Sequence, residues 1–191
     1  MIKFTALLLL VAVPTLAPMS AIAGDHGNHK VKESREAIKD ISKEMKGHMQ
    51  RAMKSGGPIE AIEVCKSVAP AIAAERSTEN MEIRRTSLKV RNPANAPDEW
   101  ERKVLETFEA RKAAGEDVKK IDHNEVVELD GKMVFRYMKA IPTQEKPCTI
   151  CHGTNISPKV TEALDNAYPD DQARGYKAGD IRGAFSIIQP M

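Results

Sequence analysis

The chain of 191 residues is short of aromatic side chains, of cysteine and of any excess of one charge. Aromatic residues make up 4% of it and cysteine occurs three times, so it is not a disulfide-rich miniprotein. Its 29 basic and 27 acidic residues give a formal net charge of +2, with no long run of one sign. Because binding to nucleic acid irrespective of sequence relies on a concentrated basic surface, we expect no nucleic-acid partner.

Beyond the first 23 residues the sequence also lacks an apolar run long enough to cross a bilayer, so we expect no stable membrane insertion of the mature chain. With 41% apolar and 29% charged residues, the composition is that of an ordinary soluble globular protein. The length predicts one compact domain.

The first 23 residues have the pattern of a secretory signal peptide. One charge, Lys3, precedes an apolar run over residues 4–13, and the small residues Ala21 and Ala23 fit a cleavage site. The run is shorter than the roughly 20 residues of a membrane span. We therefore predict a signal peptide over residues 1–23, export to the periplasm or a comparable compartment, and a single domain over residues 24–191.

Hydrophobic periodicity predicts helices in the first half of the mature chain. Apolar residues recur at spacings of three and four over residues 31–54, which indicates an amphipathic helix after an irregular leader at residues 24–30. Further helices are predicted over residues 58–72 and 98–115. Residues 79–97 contain two prolines and no sustained period, which predicts an ordered loop.

The second half of the chain has the pattern of strands. Residues 126–129 and 133–138 flank an Asp130-Gly131 pair, which is a strong local signal of a β-hairpin. Residues 183–188 predict a final strand. Helices first and strands later, without regular alternation, predict an α+β fold with a small antiparallel sheet.

Between the hairpin and the last strand lies Cys148-Thr149-Ile150-Cys151-His152, the Cys-x-x-Cys-His pattern of covalent c-type haem attachment. Two thiols at this spacing can form thioethers to the two vinyl groups of one porphyrin, which places the next imidazole under the iron. In an exported chain, the pattern predicts one covalent haem c held by Cys148 and Cys151, with His152 as the proximal iron ligand.

Three other types of site use the same two cysteines. A dithiol redox site belongs at the start of a helix, whereas Pro147 precedes and Gly153 follows the box in a predicted loop. Structural zinc takes four ligands, and a second Cys-x-x-Cys is missing. A plain disulfide leaves His152 without a role. These alternatives stay open, with haem favoured.

The sixth iron ligand has several candidates. Most of them are residues that usually fill cores or lie on surfaces. They are Met45, Met49, Met53, Met133, Met138, His48 and His123. Cys65 differs because it is the odd cysteine of an exported chain and lies on the apolar face of a predicted helix. A buried free thiol that acts as a small hydrophobe is the alternative interpretation of Cys65.

Four separated motifs resemble those of a known family. They are residues 61–65 (AIEVC) with Ala69-Pro70, residues 84–101, residues 148–153, and residues 175–186. Together they are similar, in the same order, to the single-haem c-type cytochrome family of PAS-like fold, which also occurs as the sensor portion of signalling receptors. The similarity covers nearly all of the mature chain.

This resemblance implies a PAS-like α+β domain in which the haem loop lies between the hairpin and the last strand. It also implies that Cys65 and His152 are the two axial iron ligands. A thiolate ligand donates electron density to iron and favours the ferric state, so such a pair should have a lower potential than a Met/His pair. Release of Cys65 on reduction would open the iron, as a sensor requires.

A basic cluster precedes the third predicted helix. Arg84, Arg85, Lys89 and Arg91 are candidates to pair with the haem propionates, since buried carboxylates need charged partners. A solvated surface is the alternative interpretation of the cluster.

The sequence therefore predicts an exported mono-haem cytochrome without a catalytic residue. A low-potential electron carrier would dock to a redox partner protein, and a redox or small-ligand sensor would dock to a signalling partner. A small haem enzyme of peroxidase or reductase type is a third hypothesis, but a Cys65 ligand would occupy the iron position that catalysis needs.

Overall fold

A computed structural model describes the backbone of residues 20–191 and the side chains of residues 27–191. The predicted signal peptide lies outside the described residues except for its last four positions. The helices are α1 (Ser20–Ser55), α2 (Gly57–Glu63), a π-helical turn (Val64–Val68), α3 (Ala69–Arg76), a 3₁₀ turn (Pro93–Asn95), α4 (Glu99–Ala113), α5 (Cys148–His152) and α6 (Pro158–Ala167). The strands are β1 (Glu82–Thr86), β2 (Asp122–Leu129), β3 (Lys132–Pro142) and β4 (Ile181–Pro190).

The four strands form one antiparallel sheet in the order β1-β4-β3-β2. The predicted hairpin is present as β2 and β3, and it turns at Asp130 and Gly131, whose φ angles of 51° and 76° are both positive. Turns of this kind match the right-handed twist of the strands that they join. The strands extend beyond the predicted segments, and the α+β fold class with a small antiparallel sheet is confirmed.

The sheet separates two hydrophobic clusters because successive side chains of a strand point to opposite faces. Phe135 and Tyr137 of β3 pack in one cluster with Ile38 and Ile41 of α1 and with Ile72 of α3. The other cluster lies against α4. Its strand members are Met138, Ala140, Ile181 and Ala184, and its α4 members are Val104, Leu105 and Phe108. The sheet is therefore covered by α1 and α3 on one face and by α4 on the other.

The leader predicted to be irregular at residues 24–30 is helical, because α1 already includes these residues. The N-terminal part of α1 forms hydrogen bonds with the end of β4. Lys30 Nζ donates to the carbonyl oxygen of Pro190 at 2.8 Å, and the Gln189 side chain donates to Ser34 Oγ at 3.2 Å. These are contacts over long sequence separations, which a search for local periodicity cannot detect.

The loop predicted at residues 79–97 contains a strand, β1. Of its five residues, Ile83 is the buried aliphatic one, and Arg84 and Arg85 follow it, so the strand lacks a local apolar alternation. Its pairing partner, β4, lies about 100 residues further along the chain, with Ile83 opposite Ile187. The prediction was wrong because this strand is stabilised by a distant partner.

Two helices in the second half were also missed. The Cys-x-x-Cys-His segment, predicted to lie in a loop, forms the short helix α5, and α6 follows it. In α6, Val160 and Leu164 pack with Ile62 of α2 and Tyr168 in a third cluster. Among the described residues, no helix combines the length and the apolar character that a bilayer crossing requires.

Asp122 connects α1 to the hairpin and makes the fold sensitive to acid. Its Oδ2 accepts hydrogen bonds from the Tyr137 hydroxyl at 2.7 Å and from Arg35 Nη2 at 2.9 Å. Burial by itself would raise the pKa of Asp122, but the hydrogen bonds from Tyr137 and Arg35 outweigh it and hold the pKa below its usual value. A carboxylate with a lowered pKa stabilises the fold above its unfolded-state pKa and loses that effect as the pH falls through its folded-state pKa.

We expect Asp122→Asn to lower the free energy of unfolding by about 1–2 kcal/mol at pH 7, with the difference from the parent closing below about pH 4. Urea unfolding followed by circular dichroism between pH 7 and pH 2.5 measures this difference. Asp40→Asn, which removes an exposed carboxylate of α1, is the matched control and should show no comparable gap. A gap that persists unchanged at pH 3 would contradict the assignment.

Candidate cofactor site

The Cys-x-x-Cys-His segment presents its three reactive side chains on one side of α5. Residues at positions i, i+3 and i+4 of a helix share a face, and Cys148, Cys151 and His152 have this spacing. Gly153 ends the helix, and its N–H donates to the carbonyl oxygen of Thr149 at 3.0 Å. The short helix thus directs two thiols and one imidazole toward the same space.

That space is a cavity of about 320 Å³ between α1, the α2–α3 segment, α5, α6 and the sheet. The three side chains of α5 line it together with Cys65. Most of the remaining lining is apolar. It includes Met45, Met49, Met53, Ala61, Ile62, Ala69, Ile72, Ile141, Leu164 and Phe185. A largely apolar pocket with a few polar groups is typical of a site for a flat organic cofactor, and the volume lies in the usual range of such pockets.

Cys65 reaches this cavity from a different part of the chain. It lies in the π-helical turn between α2 and α3 and is exposed to solvent. It also lines a second, open cavity of about 300 Å³ against β1 and the 3₁₀ turn. π-helical turns are rare and are frequent at functional sites. The odd cysteine of the sequence is therefore next to the Cys-x-x-Cys-His helix in the fold.

The cysteines are not arranged as a zinc site. No disulfide joins any two of them. Within residues 27–191, no group of three or more His, Cys, Asp or Glu side chains lies close enough together to hold a metal ion. Structural zinc takes four converging ligands, whereas these side chains surround a cavity. The arrangement leaves room for a large group between them.

Burial lowers the reactivity of the Cys151 thiol. Burial, with smaller contributions from Cys65 and Cys148, raises the pKa of Cys151 to about 11. Reactive redox cysteines have lowered pKa values, because the thiolate is the nucleophile. Cys151 itself is therefore a poor thiolate nucleophile near neutral pH.

His152 is held in one orientation by its backbone partner. Its Nδ1 lies 2.8 Å from the carbonyl oxygen of Ala173, which can only accept a hydrogen bond. This contact assigns the proton to Nδ1, so that Nε2 carries the lone pair, and the Nε of Arg182 lies 3.4 Å from this Nε2. Burial, together with the positive charges of Arg182 and Arg91, lowers the pKa of His152 well below its usual value. His152 is thus a neutral imidazole whose Nε2 is suited to bind a metal ion.

The loop of residues 171–176 forms backbone hydrogen bonds with the end of α5. The backbone N–H of Tyr176 donates to the carbonyl oxygen of His152 at 2.9 Å, and that of Gly175 donates to the carbonyl oxygen of Gly153 at 2.9 Å. Gly175 has a φ of +81°, which favours glycine over residues with a Cβ atom. The Tyr176 ring also meets the His152 ring edge-on, with a centroid distance of 6.3 Å.

Two of the basic residues predicted to pair with propionates, Arg84 and Arg85, lie next to each other on β1. Side chains alternate along β1, so Arg84 and Arg85 point to opposite faces of the sheet. Arg85 lines the cavity. Arg84 instead donates to the carbonyl oxygens of Ala94 and Ala96 at 3.1 and 2.8 Å, outside the cavity.

Arg91 and Lys89 are already engaged. Arg91 lines the cavity but is paired with Asp171 at 2.9 Å, and both side chains are buried. Lys89 Nζ donates to the carbonyl oxygen of Arg174 and lies 4.8 Å from the centroid of the Tyr176 ring. Among the predicted cations, Arg85 is therefore the one that faces the cavity without a hydrogen-bond partner among the described residues.

Sequence reasoning missed Arg182, which lines the same cavity. Its Nε lies 3.1 Å from His152 Nδ1 and 3.4 Å from His152 Nε2, and its Nη1 donates to Ser87 Oγ at 3.2 Å. Burial and the nearby charge of Arg85 lower the pKa of Arg182 to about 10. Two guanidinium groups, those of Arg85 and Arg182, therefore lie close together without a carboxylate between them. A single arginine directly before the predicted strand at residues 183–188 is the sequence signal that could have identified this residue.

Some of the other candidate iron ligands line the cavity, and the rest lie elsewhere. Met45, Met49 and Met53 of α1 line the cavity, as expected from their shared helical face. The remaining candidates do not line it. Met138 is fully buried in the cluster against α4, Met133 is exposed, and His123 lies beside Trp100 with a ring-centroid distance of 5.8 Å. His48 lies on α1 and is also absent from the cavity lining.

Fold and site together define a PAS-like α+β domain with a Cys-x-x-Cys-His helix at an apolar cavity. The model of the Tll0287-like family matches residues 25–190, and the chain belongs to this family. The family membership expected from the four sequence motifs is thereby confirmed.

A solved structure has the same fold. It is described as the crystal structure of the cyanobacterial heme-protein Tll0287. It is 22% identical in sequence, the alignment covers 85% of this chain and 96% of that chain, and the TM-score is 0.62. None of the curated proteins matches this chain.

Gly153 is a position of the site at which a Cβ atom would collide with backbone. A Cβ atom at this position would lie 2.4 Å from the carbonyl oxygen of Thr149, which is backbone and cannot rotate away. We expect Gly153→Ala to lower the free energy of unfolding by about 2 kcal/mol, because α5 must shift. Thermal unfolding followed by circular dichroism measures this change.

Gly47→Ala is the matched control, because a Cβ at position 47 meets only the end of the Arg51 side chain, at 3.4 Å. Inside α1 this change should stabilise the protein by about 0.5–1 kcal/mol. Equal effects of the two substitutions would contradict the packing described at α5.

Proposed function

We propose that this protein is an exported mono-haem c-type cytochrome whose haem occupies the cavity beside α5. The observation that carries the proposal is the placement of Cys148, Cys151 and His152 on one face of α5, at an apolar cavity that Cys65 also lines. Membership of the Tll0287-like family, one of whose relatives is described as a heme-protein, supports it independently. Haem supplies a one-electron redox centre.

The residues of α5 fit the attachment chemistry. With haem present, the Cys148 and Cys151 thiols would hold it through one thioether each, the S–H adding across a vinyl C=C so that sulfur and hydrogen go to its two carbons. His152 offers Nε2 as the proximal ligand, because its Nδ1–H is committed to the carbonyl oxygen of Ala173. The neutral state of the imidazole means that no proton has to leave before the metal binds.

The basic residues of the cavity fit the other edge of a porphyrin. Arg85 and Arg182 are close, partly buried cations without a carboxylate partner among the described residues. Two propionates would neutralise them and form charge-assisted hydrogen bonds. Arg91 is the weaker candidate, because Asp171 already pairs with it. Arg84 is not part of this proposal, since it binds carbonyl oxygens elsewhere.

Cys65 is the proposed second axial ligand and the part of the site suited to change. It is exposed, lies in a π-helical turn and adjoins a second open cavity. A thiolate ligand favours the ferric state, so a Cys65 bond to the iron would weaken on reduction. These features favour a redox or small-ligand sensor that acts on a signalling partner over a simple carrier that passes electrons to a redox partner protein.

Export is part of the same proposal. Residues 1–23 have the signal-peptide pattern, the family model begins at residue 25, and the proposed mature domain spans residues 24–191. We propose a periplasmic or comparable location, where the cysteines meet the haem-attachment machinery.

The test is the absorption spectrum of the mature protein made with haem-attachment machinery, in ferric and dithionite-reduced forms, for the parent and Cys65→Ala. We expect covalent haem in both proteins and a ferric thiolate signature in the parent alone. Loss of the thiolate should also raise the midpoint potential. A change of coordination number when the parent is reduced would support sensing, and unchanged six-coordinate iron would support a carrier.

Met49→Ala is the matched control, because Met49 lines the same cavity from α1. It should retain the thiolate signature of the parent. If Met49→Ala changed the axial ligand and Cys65→Ala did not, methionine would be the ligand and the Cys65 assignment would be wrong. Absence of covalent haem from the parent would overturn the proposal as a whole.

A further inference from the structure

Asp171 is the most thoroughly engaged buried carboxylate near the cavity, although it does not line the cavity. Its side chain is 1% exposed. It accepts hydrogen bonds from Arg91 Nε at 2.9 Å and Arg91 Nη2 at 3.0 Å, from the backbone N–H of Ala173 at 2.9 Å and from Arg174 Nε at 2.8 Å. Sequence analysis gives no reason to separate it from the neighbouring Asp170.

The groups that Asp171 holds are those that hold His152. Arg91 Nη2 donates to the carbonyl oxygen of Cys151 at 2.6 Å and to that of Ala173 at 3.2 Å. The Ala173 carbonyl is also the partner of His152 Nδ1. Asp171 therefore holds both backbone groups of Ala173. It binds the N–H of Ala173 directly. It also orients Arg91, which donates to the Ala173 carbonyl oxygen that accepts from His152.

We propose that Asp171 is a positioning residue for His152, acting through Arg91 and the backbone of Ala173. This inference rests on the proposed function, because the metal bound by His152 is the haem iron. A fixed carbonyl acceptor at Nδ1 sets the ring orientation and makes Nε2 a stronger donor to the metal.

The two proposed axial ligands thus differ in their support. His152 is braced by a buried ion pair and two backbone groups, whereas Cys65 lies on an exposed π-helical turn with no hydrogen bond to its Sγ among the described residues. With haem bound, this support from Asp171 would favour the His152 bond over the Cys65 bond on reduction.

The test compares Asp171→Asn with Asp165→Asn in the haem-loaded mature protein. Asp165 is the matched control, because it also pairs with Arg174 but is 59% exposed and does not contact Arg91 or Ala173. The first readout is the midpoint potential of each variant. We expect it to rise in Asp171→Asn, because the Nδ1 partner loosens and the Arg91 charge loses its counter-ion near ferric iron.

The second readout is the iron–histidine stretching frequency of the reduced protein by resonance Raman, in the Cys65→Ala background. It should fall in Asp171→Asn, stay at the parent value in Asp165→Asn, and recover in part in Asp171→Glu, which keeps the charge. A merely structural role would leave this frequency unchanged. If Asp171→Asn gave the potential and frequency of Asp165→Asn, the proposal would be overturned.

A substitute variant and a second measurement keep the proposal testable if Asp171→Asn does not fold or if no haem is attached. If Asp171→Asn does not yield folded protein, Arg91→Lys takes its place, because it keeps the charge and loses the two-pronged contact with Asp171. If the parent takes up no covalent haem, the proposed function fails. The imidazole ¹⁵N shifts of His152 in the full chain then test the positioning role alone.

Those shifts should report the Nδ1-protonated tautomer in the parent and in Asp165→Asn, and a mixture of tautomers in Asp171→Asn. The same single tautomer in all three proteins would overturn the positioning role.

Discussion

The antiparallel pairing of β3 with β4 is the interaction on which the rest of the structure depends. Along these strands, alternate side chains enter two different clusters, one against α1 and α3 and one against α4. The ends of the same strands supply Ile141, Arg182 and Phe185 to the cavity wall. Because β1 pairs with the other side of β4, the same strand also places Arg85 at the cavity. The pairing of β3 with β4 therefore determines both the position of the core and that of the cavity wall.

The cavity combines an apolar interior with a strongly polar wall, and this contrast has a chemical consequence. Methionine and aliphatic side chains line most of the cavity, while Arg85 and Arg182 keep positive charge at one wall. An uncompensated buried cation is unfavourable, so the wall is suited to a ligand that brings carboxylates. The apolar interior is suited to the rest of a porphyrin. Haem, which has an apolar ring and two propionates, meets both requirements.

Much of the fold was predictable because its signals are local. The amphipathic stripe of α1, the Asp130-Gly131 turn and the acidic start of α4 at Asp98 depend on neighbours within a few residues. The strand β1 was not predictable from its own residues, since Ile83 is stabilised by pairing with β4 far along the chain. Arg84 and Arg85 point to opposite faces because they are neighbours on that strand. Their different positions could therefore not be predicted either. α5 is a single turn, which is too short to show a helical period.

The sequence by itself determined the chemistry available to this protein. The spacing of Cys148, Cys151 and His152 places three side chains on one face of any helix that they form, and the four motifs specified the family. The tertiary structure alone decided which distant residues join them. Cys65 reaches the same cavity, Arg182 faces it from β4, and Asp171 is buried behind His152. Such contacts depend on strand pairing and loop closure over roughly 20 to 120 residues of chain, and no local pattern of residues encodes a distance of that kind.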